Sequence, residues 1–156
     1  MMSPMRDLLT SYPLAWPELV LVAFAMLATI AGAWLKEKGF GLLSAGGVAI
    51  LALAGGLALA HQPLAPVDIF QGAMVVDGVG VFAKVLIAFS AAATLALGAD
   101  HFSQVRDRRF EYPILIVLAV LGMFVMVSAQ DLISLYVGVE LQSLSAYVLA
   151  AWRRDD

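Results

Sequence analysis

Apolar residues run almost unbroken through five stretches of the chain: Glu18 to Leu35, Phe40 to Ala60, Gly78 to Ala99, Pro113 to Ser128 and Leu132 to Trp152. A helix needs roughly 20 mostly apolar residues to cross the hydrocarbon of a bilayer, so each qualifies or nearly does, the fourth being short. The last two could be read as one helix, but at 1.5 Å per residue it would be about 60 Å long. That is about twice the hydrocarbon thickness, and Ser128-Ala129-Gln130-Asp131 interrupts it at the middle. The pattern predicts a tight helical hairpin instead. Five transmembrane helices make the expected fold an all-α integral membrane bundle.

The connections support that count. Lys36-Glu37-Lys38-Gly39 closes the first helix with cations and a glycine, the chemistry of a helix C-terminus. Pro113 falls in the first turn of the fourth helix, where its missing N–H costs nothing. Asp131 reads as the N-cap of the fifth. Between His61 and Asp77, Pro63 and Pro66 precede an apolar run on either side of Gln71-Gly72, which suggests a short hairpin on the membrane surface. Residues 1–112 then form three leading helices with an outer loop at 61–77, and 113–156 form a helical hairpin.

Composition agrees with the pattern. Hydrophobic residues make up 62% of the 156 and charged residues 13%, with mean hydropathy +0.92. Soluble domains sit near half and a quarter, and disorder needs low hydrophobicity. Both are excluded. The chain lacks cysteine, which removes disulfides, thiol nucleophiles and iron–sulfur ligation, and His61 and His101 are too far apart for a local metal motif. Phosphate loops, hydrolase elbows, HExxH and dinucleotide fingerprints are also missing. No metal, cofactor or nucleic acid is therefore expected on this chain.

The net charge of −3 conceals a sorted distribution. Lys36 and Lys38, then Arg106, Arg108 and Arg109, then Arg153 and Arg154 all fall on one side of a five-helix arrangement, leaving Arg6 alone before the first helix. By the positive-inside rule that side is cytoplasmic, so the N-terminus faces outward and the C-terminal end inward. Trp16, Trp34 and Trp152 lie at expected interfaces as belt anchors. Ala31-Gly32-Ala33 has the small-residue spacing of a leader cleavage site, but the preceding stretch is long and Arg6 is neutralised by Asp7, so the helix is read as retained. Small residues recur every fourth position at Ala52, Gly56 and Ala60, and again at Ala88, Ala92 and Ala96, where they would let helix backbones approach.

Two ionisable residues, Glu140 and Lys84, lie inside the predicted spans away from their ends. An ionised side chain at the bilayer centre costs about 2.5–3.5 kcal/mol on insertion scales, so each requires a reason. Glu140 is nine residues from Asp131, roughly 13 Å in at 1.5 Å per residue, too deep for its short stem to reach water. Tyr136, Ser143 and Tyr147 share its helical face. Such a polar stripe suits a buried, hydrated proton path, since burial favours the neutral carboxyl and a nearby cation the charged one. The alternative is a neutral carboxyl that ties helices together. Lys84 is seven residues from Asp77, and its longer stem favours snorkelling to the outer headgroups. Gln142 and Ser145 lie off the stripe and are candidates for cross-linking helices.

The fifth helix, Asp131-Leu-Ile-Ser-Leu-Tyr-Val-Gly-Val-Glu140-Leu-Gln-Ser-Leu-Ser-Ala-Tyr147-Val-Leu-Ala-Ala, resembles the N subunit of bacterial NADH:quinone oxidoreductase, respiratory complex I. Phe70-Gln-Gly-Ala-Met-Val-Val-Asp77-Gly78 and the Lys84 region resemble that subunit's outer loop and third helix. The resemblance implies a non-redox, antiporter-like subunit of the inner-membrane arm, which couples NADH oxidation and quinone reduction to proton translocation. Flavin, iron–sulfur clusters and quinone would then reside in partner subunits, and the partners would be other membrane-arm subunits and lipid. Glu140 corresponds to the family's fifth-helix glutamate, whose partner is a lysine on a later helix that this sequence does not contain. The chain by itself is thus not expected to pump. Cation/proton antiporters and membrane-bound hydrogenases are related alternatives, but they usually carry tryptophan before the glutamate, where Val139 stands here. A structural helix bundle that serves assembly is a third reading.

Overall fold

The computed structural model describes residues 13–105 and 109–151. Arg6, Arg106, Arg108, Trp152, Arg153 and Arg154 lie outside the described residues. Five helices, α1 (Trp16–Leu35), α2 (Phe40–Ala60), α3 (Gly78–Val105), α4 (Glu111–Ser128) and α5 (Leu132–Ala150), each contain a stretch long and apolar enough to cross a membrane. Their bounds follow the apolar runs closely, except that α3 continues past Ala99 into polar sequence. The apolar run marks only the part of a helix that suits lipid; the hydrogen-bonded spiral continues until something stops it.

Asp77 and Asp131 start the helices that follow them. Oδ1 of Asp77 accepts from the Gly80 N–H at 2.6 Å, and that of Asp131 accepts from the Ser134 N–H at 2.5 Å. Each satisfies one of the orphan amides of a first turn. The Ser134 amide holds the Asp131 carboxyl below its ordinary range.

Ahead of α3, the expected hairpin is present as β1 (Val67–Ile69) and β2 (Met74–Val76), antiparallel with Val67 opposite Val76 and Ile69 opposite Met74. Its tip, Phe70-Gln71-Gly72, has φ of 52°, 60° and 86°. Only Gly72 adopts this left-handed backbone without steric cost.

Packing centres on α4, which touches all four other helices, while α2 and α3 pair along their length. Leu21, Leu51, Leu95, Val117, Val120 and Phe124 form the fully buried centre. Of the two expected small-residue rows, Ala88 and Ala92 face inward but Ala96 is exposed. The row on α2 is displaced. Gly56 has nothing near it, whereas Gly47, Ala54, Gly55 and Ala58 face the core, and a Cβ on Gly55 would stand 3.1 Å from that of Ala88. Every fourth residue advances about 400° on a helix of 3.6 residues per turn, so small-residue spacing on an all-round apolar helix does not fix the inward face.

The ends of the bundle are distinct. At one, Ala15, Ile69, Val76 and Val81 form a small apolar cluster beneath the hairpin. Gln130, in the α4–α5 turn, is tied to that hairpin: its N–H donates to the Ala73 carbonyl at 3.0 Å and its Nε2 to Asp68 Oδ1 at 2.8 Å. At the opposite end lie the Lys36–Gly39 turn and Phe110, which rests against Gly32 closely enough to overlap any Cβ there. The described basic connections and the hairpin thus occupy opposite ends, as the five-helix reading requires.

Candidate functional site

Glu140 owes its place to a backbone contact one half-turn away. A Cβ on Gly122 of α4 would lie 2.7 Å from the Gly138 carbonyl oxygen, and one on Gly138 would lie 2.9 Å from that of Gly122. Only glycine permits this approach, and it turns the Gly138 side of α5 onto α4. At 100° per residue, Tyr136, Glu140, Ser143 and Tyr147 all fall on the opposite side. The four share a face, as the spacing predicts.

That face is not enclosed by the described helices. Tyr136 and Tyr147 are 62% and 68% exposed, and Glu140 and Ser143 are half-buried. Just 11% of the α5 span is buried, against 44% for α4. The expectation of a buried stripe therefore changes: α5 uses its small residues to pack on α4 and leaves its polar side open. Tyr136 precedes Glu140 by one turn on this face. Ser143 does not extend the stripe as a donor, because its hydroxyl donates to the Val139 carbonyl at 2.6 Å. Ser145 is buried and donates to the Leu141 carbonyl at 2.8 Å.

Lys84 overturns its sequence expectation. Its side chain is only 3% exposed, and instead of reaching the headgroups its Nζ lies 2.5 Å from Oε1 of Glu18 on α1. The ammonium also sits 5.8 Å from the centroid of the Phe124 ring on α4, a favourable cation–π position. The physical reason is local. Headgroup water competes poorly with a carboxylate already held within reach, and α1 and α4 close over the stem. Glu18 is the functional candidate that sequence reasoning passed over, because it follows Trp16 at a helix start, where an acidic residue needs no other explanation. Its one signal was membership of an apolar run.

Trp16 and Trp34 are exposed near the two ends of α1, as belt anchors would be. An open groove of about 440 Å³ between α3 and α4 is lined by groups such as Leu86, Ile87, Ile116 and Met123. It contains no titratable side chain, and the Thr94 hydroxyl on its wall donates to the Ser90 carbonyl. The groove offers lipid-like surface and no chemistry.

No model of a protein family matches the chain. Among curated proteins, NADH-quinone oxidoreductase subunit N of Parvibaculum lavamentivorans is 46% identical over 142 residues, covering 91% of this chain and 29% of the relative. The subunit N of Rhodobacter capsulatus is 46% identical over 148 residues, covering 92% and 30%. Among solved structures, a chain of respiratory complex I from Thermus thermophilus with bound aureothin matches with TM-score 0.72 and 31% identity, over 88% of this chain and 29% of that one. The chain thus spans about three-tenths of the length of the relatives it matches. The resemblance to subunit N extends well beyond the fifth helix, and with five apolar helices it places the chain in a membrane.

Proposed function

We propose that this chain serves in the membrane arm of an NADH:quinone oxidoreductase, as part of a proton-translocating subunit that carries no redox centre itself. The observation that supports this most is identity of 46% to subunit N over nine-tenths of the chain. In this reading the hairpin end faces the periplasm of a bacterial inner membrane and the basic end the cytoplasm, as positive-inside sorting favours. Other subunits of the complex bind NADH and quinone and hold the flavin and iron–sulfur clusters.

Glu140 is the proton-holding residue of this stretch. A carboxylate roughly 13 Å into the span needs either a proton or a facing cation. Proton uptake neutralises it; approach of a cation favours release. The open polar face of α5 is where such a cation would come, borne by a further helix of the full-length subunit. Tyr136, one turn away, orients the carboxyl. Ser143 and Tyr147 mark the continuation of the face toward the basic end.

Substitution of Glu140 in the full-length subunit tests this. Glu140→Gln and Glu140→Ala should both assemble and both lose proton translocation, since neither can change charge. Glu140→Asp should retain part of it. The measurements are assembled-complex content and quinone-reductase-driven proton uptake in membrane vesicles. Wild-type pumping by the glutamine variant would refute the proton-holding role.

A further inference from the structure

The corner around Lys84 is short of hydrogen-bond partners. Oε2 of Glu18 has none among the described residues, and Oε1 has only its ion contact with Lys84. The lysine ammonium carries three N–H donors, and among the described residues Glu18 is the one carboxylate paired with it. Ser128, in the last turn of α4, is 1% exposed, and its hydroxyl is also without a partner among the described residues.

These groups lie toward the same end of the bundle. Ser128 stands four residues after Phe124, on the same side of α4, and the Phe124 ring lies against the Lys84 ammonium. One turn before Lys84, a Cβ on Gly80 would meet Val127 at 3.7 Å, so the last turn of α4 lies along the start of α3. Above them the cluster of Ala15, Ile69, Val76 and Val81 closes the hairpin end with apolar side chains.

Surplus donors on Lys84 and Ser128 thus accompany a surplus acceptor on Glu18 in a largely buried polar corner. Protein interiors meet that condition with bound water, which makes two to four hydrogen bonds to groups otherwise unsatisfied. We infer that Glu18, Lys84 and Ser128 bind internal water, making the α1–α3 ion pair a hydrated site inside the bundle and a second ionisable centre besides Glu140. The bound molecule bridges Glu18 Oε2 and Ser128 Oγ and accepts from the ammonium. The inference does not depend on the role assigned to Glu140.

The test uses the full-length protein in its membrane complex. A structure at a resolution that shows ordered water should have density within hydrogen-bonding distance of both Glu18 Oε2 and Ser128 Oγ. Infrared spectra exchanged into H₂¹⁸O should show an internal-water band that Ser128→Val removes, with the amount of assembled protein unchanged. A dry corner in the wild-type structure would overturn the inference, with no variant needed. So would an isotope-sensitive band that Ser128→Val leaves intact.

Discussion

Removing Lys84 isolates the energy of the buried pair. Lys84→Met keeps most of the stem's volume and leaves the Glu18 carboxylate without its cation in a site 12% exposed. Breaking a buried ion pair from one side costs about 3–5 kcal/mol, because an uncompensated charge stays behind. The loss should therefore be roughly 3–5 kcal/mol. Glu18→Gln strands the ammonium instead and should cost a similar amount. Glu18→Gln combined with Lys84→Met leaves no charge and should return to within about 1–2 kcal/mol of wild type, since neutral replacement of a buried pair is often tolerated. Denaturant unfolding in detergent micelles, followed by circular dichroism, would yield all four corners of the cycle. Were Lys84 snorkelling to headgroups, each single change would cost under about 1 kcal/mol and the double would be their sum. That result would refute the buried pair.

The α4–α5 crossing gives a second expectation: Gly138→Ala should cost about 1–3 kcal/mol by overpacking, whereas Gly56→Ala, into open space, should be close to neutral in the same unfolding assay. For orientation, a reporter fused after Arg109 should register as cytoplasmic and one inserted near Pro66 as periplasmic; the reverse would overturn the five-helix sidedness. Reconstituted alone in liposomes, this chain should not support coupled proton pumping, because no ion pair to Glu140 is present among the described residues; driven transport by it would show that none is needed.

The spans were legible because lipid makes the requirement local: every backbone N–H and C=O must bond within its own helix, so length and apolarity alone mark Trp16–Leu35 or Phe40–Ala60. The caps at Asp77 and Asp131 and the hairpin before α3 were legible for the same reason, being settled within a few residues. Facing directions were not. On α2 nearly every residue is apolar or small, so Gly55 and Gly56 are equivalent in sequence, and only the shape of α3 at Ala88 distinguishes them. The polar face of α5 could be read because Tyr136, Glu140, Ser143 and Tyr147 are rare polar groups at helical spacing. What lies opposite that face is a property of other helices. Lys84 shows the same division more sharply. Its depth could be counted along α3, but its partner is Glu18, 66 residues earlier and on another helix. The depth of an intramembrane charge follows from position in the chain, whereas its compensation follows from which helices are brought together. Sequence reasoning therefore located Glu140 and Lys84 and misjudged the surroundings of Lys84, since a snorkelling lysine and a paired one differ only in a neighbour that local spacing cannot supply.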